Sequence, residues 1–312
     1  MSTPELTTET AFGALTERHR RELQVHCYRM LGSLDEAEDL TQETFLRAWR
    51  FRSTYAGRAS LRAWLYRIAT NVCLDALERR PRMPTDVGEM LWLQPIPDDL
   101  LSHADEPDAE VVARETIELA FLVAIQHLQP RARAVLILRD VLGWRARDTA
   151  ELLETSEASV NSALQRARAG LKEHLPARRS EWSADGSVAD RALVAKYMEA
   201  CETGDAAALK SIMAEDLRFS MPPEGGMHVG GDENVDLWFE GGLGDKENFG
   251  ELRVALTFAN RQPAVANYVK RPGSDVFVPM ALDVLTIAGG EISEILAFPL
   301  TTFAAFGLPA TL

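Results

Sequence analysis

The chain has too few cysteines, spaced too far apart, to build a disulfide framework or a zinc site. Its three cysteines are Cys27, Cys73 and Cys201, and none stands in a CxxC or Cys/His spacing. An odd number of distant cysteines is typical of buried thiols in a reducing compartment. We therefore expect no metal site and no cofactor in this protein.

Long apolar segments are also missing from the sequence. No run of 18 apolar residues occurs, and the first residues do not form a charged segment followed by an apolar one. A membrane-spanning helix and a secretory leader are therefore disfavoured, and we expect a cytoplasmic protein without a membrane partner. With 312 residues, 46% of them hydrophobic, the chain is long enough for two or three domains.

The chain as a whole lacks the positive charge expected of a DNA-binding protein, since its net charge is −14. The charge is sorted along the sequence, however. Residues 10–83 and 130–180 are each net +4, whereas residues 84–129 are net −9 and residues 181–312 are net −11. Basic segments attract phosphate and acidic segments repel it. We expect the basic segments to contact nucleic acid, and the chain to bind duplex DNA poorly unless a partner supplies affinity.

Residues 10–83 have the apolar periodicity of helices. One predicted helix buries Leu46 and Trp49 and exposes a charged row on its other side. By itself such a row is typical of a solvated helix face, supported by an i, i+4 ion pair. The row consists of Asp39, Gln42, Glu43 and Arg47.

The loop and helix that follow combine aromatic, polar and basic side chains. A single-stranded base needs an aromatic face to stack on, polar groups for its edge and cations for the backbone. Trp64 lies on the apolar stripe of the helix, so we expect it in the core. The residues of the required types that we select are Tyr55, Arg58, Ser60, Arg62, Arg67 and Asn71.

A linker and a second helical segment come next. Residues 84–110 are acidic and proline-rich, and their segment LWLQPIPDDLL is a disordered spacer, a nucleic-acid mimic or a segment that packs against the tail. Residues 111–177 predict helices with a tight break at Glu154–Thr155, the pattern of a helix-turn-helix. Ser156 is expected to cap its recognition helix. The side chains that this helix would direct at base edges in the major groove are Ser159, Asn161, Ser162, Gln165, Arg166 and Arg168.

Residues 188–304 predict an α+β domain with a curved antiparallel sheet. Amphipathic helices precede alternating segments, and Gly289–Gly290 is a hairpin signal. Asp216, Trp238 and Asp283 are candidates for lining a small-molecule pocket, whereas His228 is expected to be exposed. No spacing brings a histidine and a carboxylate together as acid–base catalysis requires, so we expect no catalytic residues.

Three segments, in this order, resemble bacterial sigma factors of the extracytoplasmic-function type: DLTQETFLRAW, SLRAWLYRIATNVCLDALERR and GWRARDTAELLETSEASVNSALQRARAGL. The resemblance covers residues 10–175, and the tail resembles the SnoaL-like domain of the NTF2 fold. It implies two all-α sigma domains, a helical bundle (10–83) and a helix-turn-helix (111–177). An α+β NTF2-like cone (188–304) would follow them.

The resemblance also implies partners and roles. The partners would be promoter DNA and core RNA polymerase, through the clamp coiled coil of its largest subunit and its beta flap. The charged row would dock on the clamp coiled coil. The set from Tyr55 to Asn71 would hold the melted minus-ten element, and the set from Ser159 to Arg168 would read the minus-thirty-five element. The tail would modulate activity by contacting the linker and the first domain, and a small ligand would be its further partner.

Two other classes of protein stay open at this point. A SnoaL-like cyclase or isomerase with a DNA-binding leader would need a convergent acid–base pair. An ordinary helix-turn-helix repressor would leave the charged row and the aromatic loop without a role, and it predicts dimers on palindromic sites. The leading interpretation is a promoter-specificity subunit of bacterial RNA polymerase that is not an enzyme.

Overall fold

The computed structural model describes residues 9–55, 57, 60–80, 93–101, 118–175, 188–222 and 226–312. The chain divides into two compact units. The helical unit lies within Met1–Met83, Asp99–Ile117 and Phe121–Leu175, and the tail unit lies within Pro84–Asp98, Glu118–Ala120 and Pro176–Leu312. The tail unit therefore includes two short pieces of the segment that connects the two helical parts.

The first part of the helical unit contains the helices α1 Glu9–Glu17, α2 Arg20–Leu31, α3 Leu34–Arg50 and α4 Leu61–Arg79. Gly32 ends α2 with a left-handed backbone (φ 74°), which glycine adopts without strain. The Ser33 hydroxyl then caps α3 by accepting a hydrogen bond from the Glu36 N–H (3.3 Å). Ser60 caps α4 in the same way through the Ala63 N–H (3.1 Å).

Periodicity misplaced several large residues of this part, among them Trp49 of α3, which was predicted to be buried but is half-buried. Leu46 was predicted to be buried but is 62% exposed, because it is out of phase with the buried stripe of α3. Trp64 was expected in the core but is half-buried, with its ring against that of Tyr55. Tyr66 fills the core instead and is 1% exposed. The buried stripe of α3, with its spacings of three and four residues, is Leu34, Ala37, Thr41, Thr44 and Ala48.

The helix-turn-helix pattern is confirmed in the second part of the helical unit. Glu154 takes a positive φ of 53° in the break between two helices, and the Thr155 N–H donates to the Ala150 carbonyl (2.9 Å). Ser156 caps the next helix by accepting from the Ser159 N–H (3.1 Å). The helices that follow α4 along the chain are α5 Asp98–Leu101, α6 Leu119–Gln126, α7 Pro130–Leu136 with a π-helical turn at Ile137–Val141, α8 Ala146–Leu152 and α9 Glu157–His174.

The tail unit is an α+β domain whose sheet, in the described residues, has the strand order β2-β1-β6-β5-β4-β3. Its helices are α10 Val188–Thr203, α11 Ala206–Lys210 and α12 Gly231–Glu240. Its strands are β1 Met213–Ser220, β2 His228–Val229, β3 Glu251–Ala259, β4 Gln262–Lys270, β5 Val278–Ala288 and β6 Glu291–Pro299. Neighbouring strands are antiparallel except β1 and β6, which are parallel. The predicted antiparallel sheet is therefore confirmed apart from this pair.

Two tight turns shape the sheet of the tail. Gly289 and Gly290 have φ values of 64° and 88° and join β5 to β6, which confirms the predicted hairpin. Asn260 and Arg261 have φ values of 55° and 64° and join β3 to β4. Non-glycine residues adopt this backbone region only at a cost, so the second turn needs compensating contacts.

Candidate functional site

The charged row on α3 is held in place by ion pairs. Asp39 and Gln42 are exposed, while Glu43 and Arg47 are half-buried. Arg47 donates from Nε to Glu43 Oε1 (2.7 Å) and from Nη1 to Asp75 Oδ2 (2.9 Å). These bonds raise the pKa of Arg47, the one to Asp75 contributing most. The row therefore presents mainly carboxylate and amide groups to a partner.

A concave patch that periodicity did not reveal adjoins this row. Leu46 is 62% exposed and Phe51 is 49% exposed, and the Arg52 guanidinium lies 3.7 Å from the centre of the Trp49 ring. Exposed apolar side chains framed by charge are typical of protein-binding surfaces. The sequence signal for this patch is the mismatch between Leu46 and the buried stripe of α3. The patch encloses about 410 Å³ and is lined by Glu43, Leu46, Arg47, Trp49, Arg50 and Arg52.

The residues selected for single-strand binding lie on α4 and on the loop before it. The rings of Tyr55 and Trp64 meet at a centroid distance of 5.2 Å, and both are half-buried. They therefore form an aromatic surface that solvent can reach. Ser60 and Asn71 are exposed. Arg58 lies outside the described residues.

The two arginines that α4 contributes to this set are already ion-paired. Arg62 donates from Nε to Glu22 Oε2 (2.6 Å), and Arg67 donates from Nη2 to Glu154 Oε1 (2.7 Å). The Arg62 and Arg67 side chains remain 52% and 41% exposed. Exposed pairs contribute only about 0–1 kcal/mol, so a phosphate group can compete with these carboxylates.

Helix α9 presents a polar face and buries the opposite one. Val160, Leu164 and Ala167 are buried. Arg168 forms a bidentate pair with Asp140, with distances of 2.8 and 2.7 Å from Nε and Nη2. All six residues predicted to face DNA are exposed: Ser159, Asn161, Ser162, Gln165, Arg166 and Arg168.

Within the helical unit, α7 contacts the first helical part through a buried arginine. Arg133 is 4% exposed and donates to the carbonyls of Met30 at the end of α2 and of Gln126. Burial lowers the pKa of Arg133 to about 10. The Trp144 ring lies 5.7 Å from that of Tyr66. Together with the Arg67–Glu154 pair, these contacts place the turn of the helix-turn-helix against α4.

In the tail, Asp283 is a buried carboxyl with two hydrogen-bond donors. Tyr197 donates its hydroxyl (2.8 Å) and Asn267 donates from Nδ2 (2.6 Å) to the same oxygen, Oδ2. Burial raises the pKa of Asp283 to about 6, although these two bonds act to lower it. The sequence did not point to Tyr197 or Asn267, because α10, β4 and β5 meet only in the folded domain.

The other predicted pocket residues have different surroundings. Trp238 of α12 is half-buried, with its ring edge-on to Phe219 of β1 at 5.1 Å. Asp216 is exposed on β1. His228 is exposed on β2, as expected. The pocket formed by Asp216, Trp238 and Asp283 stays a prediction.

Part of the predicted linker is bonded to the β3–β4 turn of the tail. Asn260 Oδ1 accepts from the Ile96 N–H (2.9 Å), and the Asn260 N–H donates to the Ile96 carbonyl (3.0 Å). Asp98 Oδ1 accepts from the Arg261 N–H (2.8 Å), and Ile96 is fully buried. Of the three interpretations of LWLQPIPDDLL, packing against the tail therefore holds for residues 93–98. Residues 91–92 lie outside the described residues.

The β3–β4 turn also binds a residue that follows the linker, Leu119. The Leu119 N–H donates to Gln262 Oε1 (3.1 Å), and Gln262 Nε2 donates to Thr286 Oγ1 (2.9 Å). Gln262 is 2% exposed. Residues 260–262 therefore bind the chain on both sides of residues 102–117.

Among the described residues, no helix has both the length and the apolar character that a membrane crossing needs. Nor do the same residues contain three or more His, Cys, Asp or Glu side chains grouped as a metal ion would require.

Known proteins match the sequence of the helical parts and of the tail. The sigma-70 region 2 family matches residues 15–83, and the sigma-70 region 4 family matches residues 118–171. The ECF RNA polymerase sigma factor SigG of Mycobacterium tuberculosis (strain ATCC 25618 / H37Rv) is 43% identical over 318 residues, which cover 96% of this chain and 85% of SigG. The ECF sigma factor SigJ of the same strain is 32% identical over 206 residues, which cover 65% of this chain and 62% of SigJ.

A solved structure extends the match to the fold of the tail. The crystal structure of Mycobacterium tuberculosis SigJ aligns with a TM-score of 0.63 and 22% identity. The alignment covers 95% of this chain and 99% of that chain. At this identity the likeness concerns the fold, including the NTF2-like domain that follows the helical domains.

These matches define the class as sigma-70-type transcription initiation factors, which are not enzymes. More narrowly, the chain belongs to the extracytoplasmic-function RNA polymerase sigma factors, with an NTF2-like domain behind its two sigma domains. Proteins of this family act with core RNA polymerase on promoter DNA. Neither the cyclase nor the repressor interpretation fits this assignment.

Replacing Asp283 by Asn tests whether burial raises the pKa of this carboxyl. Between about pH 4 and pH 6 the folded protein keeps a proton that the unfolded chain releases, so stability falls as pH rises. With the pKa raised from 3.8 to about 6, this loss is on the order of 3 kcal/mol. D283N keeps an oxygen acceptor for Tyr197 and Asn267 and should not show the loss. Denaturant unfolding of wild type and D283N at pH 4 and pH 7 measures the free energy of unfolding. If the difference in stability between the two proteins is the same at both pH values, the raised pKa of Asp283 is contradicted.

Proposed function

We propose that this sigma factor docks on the clamp coiled coil of the largest polymerase subunit through α3. The docking residues are Asp39, Gln42, Glu43 and Arg47. The observation that carries the proposal is the exposure of Leu46 (62%) and Phe51 (49%) beside this row. An apolar centre with a charged rim is the usual composition of a protein interface. The same surface would be unfavourable on a chain that acted alone.

Leu46→Asp tests this docking surface. A substitution at so exposed a position changes stability by no more than about 0.5 kcal/mol, but a carboxylate in the apolar centre of an interface costs binding. We expect at least a tenfold weaker affinity for core polymerase, which corresponds to about 1.4 kcal/mol. Titration of core enzyme with labelled protein measures it. Leu256→Asp is the matched control, since Leu256 is 49% exposed but belongs to the tail. Equal affinities of the two variants would exclude the α3 surface.

We also propose how the two helical parts act on a promoter. Tyr55, Ser60 and Asn71 would hold unpaired bases of the minus-ten element, with Arg58, Arg62 and Arg67 on the backbone. The half-exposed Tyr55–Trp64 ring pair supports this role, because stacking on aromatic rings is the main way proteins hold single strands. The polar face of α9 would read the minus-thirty-five element, and its domain would also meet the beta flap. The set on α9 is Ser159, Asn161, Ser162, Gln165, Arg166 and Arg168.

The free chain should bind promoter DNA weakly, because its own carboxylates occupy the cations. Glu22, Glu154 and Asp140 are paired with Arg62, Arg67 and Arg168. Each phosphate contact therefore requires the displacement of an internal acid. Polymerase binding would favour this exchange by positioning the helical parts on the DNA, in the cytoplasm where transcription takes place.

Glu154→Gln tests the internal neutralisation of Arg67. Losing the acid frees the guanidinium, so the isolated chain should bind a single-stranded minus-ten oligonucleotide more tightly. The gain should be up to about fivefold, because exposed pairs are worth at most about 1 kcal/mol. Fluorescence anisotropy at low salt measures the affinity. Glu78→Gln on α4 makes the same change in net charge and is the control. If both variants bind equally, the pair with Arg67 has no effect on DNA binding.

The tail would modulate activity by holding the connection between the two helical parts. Its β3–β4 turn binds Ile96 and Asp98 on one side of the linker and Leu119 on the other. A segment fixed at both ends has less conformational freedom than a free linker. Bonds within the tail unit would therefore limit how the chain can adjust the separation of its DNA-binding parts. Of the predicted pocket residues, Asp283 is the one that we propose as a ligand contact, because its carboxyl is buried in the tail.

Asn260→Gly tests this restraint. Glycine keeps the positive φ of the turn but removes the acceptor for the Ile96 N–H, and a buried donor without a partner costs about 1–3 kcal/mol. We expect faster amide hydrogen exchange at residues 93–98 and a changed transcript yield from an unchanged set of promoters. Asn248→Gly, in another loop of the tail, is the control. Unchanged exchange at Ile96 would show that the bond does not restrain the linker.

A further inference from the structure

A row of polar side chains crosses four neighbouring strands of the tail sheet. Gln262 of β4 donates from Nε2 to Thr286 Oγ1 of β5 (2.9 Å), and Thr286 Oγ1 donates to Glu294 Oε2 of β6 (3.5 Å). Glu294 Oε1 pairs with Arg218 Nε of β1 (3.2 Å). Thr286 and Arg218 are both cross-strand partners of Glu294, so the three side chains lie on the same face of the sheet.

One end of this row caps a helix. Leu119 is the first residue of α6, and the first N–H groups of a helix have no acceptor within it. The Leu119 N–H instead donates to Gln262 Oε1 (3.1 Å). Leu119 and Gln262 are only 1% and 2% exposed, so water cannot easily replace this acceptor. The first turn of α6 therefore depends on an amide group from the tail sheet.

The chemistry of each group fixes the direction of the hydrogen bonds along the row. An amide NH2 group only donates, a carboxylate only accepts, and a hydroxyl does both with one proton. Thr286 therefore accepts from Gln262 Nε2 and gives its own proton to Glu294. A flipped Gln262 amide would place two donors, its NH2 group and the Leu119 N–H, against each other. The Gln262 oxygen faces Leu119 because its NH2 group is held by Thr286.

Arg218 stabilises the charge at the other end of the row. The Glu294 side chain is 14% exposed and the Arg218 side chain is 40% exposed. Burial raises the pKa of Glu294, whereas the Arg218 guanidinium and the Thr286 hydroxyl act to lower it. The ion pair thus favours the carboxylate, which is the form of Glu294 that can only accept.

We propose that Thr286 and Glu294 are positioning residues that orient the Gln262 amide and so determine how firmly the tail caps α6 at Leu119. The proposal rests on the proposed function of the tail, in which the β3–β4 turn restrains the connection between the two helical parts. It adds that the restraint at Leu119 is set separately from the restraint at Ile96. The side chain that binds the Ile96 N–H belongs to Asn260, which is not part of the row.

Thr286→Val tests this role, because it removes the hydroxyl and nearly keeps the shape of the side chain. The Gln262 amide then loses the group that orients it. In the full-length chain we expect amide hydrogen exchange at Leu119 to become about tenfold faster, as for a buried donor whose acceptor is no longer fixed. Exchange at Ile96 should not change. Thr286→Ser should restore slow exchange at Leu119, since serine supplies the same hydroxyl.

Glu294→Gln is the second variant, and it tests the row even if Thr286→Val does not fold. Arg218 then takes the amide oxygen of the substituted side chain, so an NH2 group faces Thr286 where its hydroxyl proton needs an acceptor. Exchange at Leu119 should again become faster. Thr257→Val on β3 is the matched control, because it makes the same substitution in the same sheet outside the row, and it should leave Leu119 unchanged.

The pattern of exchange decides between a positioning role and a merely structural one. Equal acceleration at Leu119 and Ile96 would show a general loosening of the tail and would overturn the proposal. Unchanged exchange at Leu119 in both variants, or no rescue by Thr286→Ser, would also overturn it. Run-off transcription with core polymerase tests the proposed function separately. Faster exchange at Leu119 alone with an unchanged transcript yield would support the row and reject modulation by the tail.

Discussion

Arg62, Arg67 and Arg168 each donate to a carboxylate of the same chain, at 2.6, 2.7 and 2.7 Å. How much positive charge the surface of the helical unit presents depends on these pairs. Two unit charges 4 Å apart interact by only about 1 kcal/mol in water, so the pairs are ordered enough to neutralise the cations and weak enough to exchange. The net +4 of residues 10–83 is therefore less available to DNA than its value suggests. This weak exchange supports the proposal that core polymerase makes the DNA contacts of this sigma factor favourable.

Arg133 represents the opposite kind of electrostatic interaction. Its guanidinium is buried against the Met30 and Gln126 carbonyls, and leaving a buried charge without its partners costs several kcal/mol. This contact is not easily exchanged. The helical unit thus combines a fixed internal contact between its two parts with exchangeable pairs at its surface. The tail unit has a fixed contact of its own, in which the side chain of the buried turn residue Asn260 binds the Ile96 N–H of the linker segment.

Features that depend on neighbours in the sequence were predicted well. The Ser156 cap, the break at Glu154–Thr155 and the Gly289–Gly290 hairpin follow from local backbone preferences, and each occurs as expected. The prediction that Leu46 is buried was wrong because it was inferred from hydrophobicity, whereas the phase of the whole stripe decides which side of α3 is buried. An exposed leucine is unfavourable in a free helix, so hydrophobicity alone assigns it to the core. The exposed row on α9 was predictable because cap and periodicity agree there.

The amino-acid sequence by itself determined the order of the domains, the sorting of charge and the helices that carry the candidate sites, since each arises from residues close together in the chain. Only the tertiary structure decided which distant groups meet. It brought Tyr197 to Asp283, and it placed the Ile96 backbone on the Asn260 side chain. Such pairings depend on how helices and strands pack, and the energies that select them belong to the whole core. No short stretch of sequence contains that information.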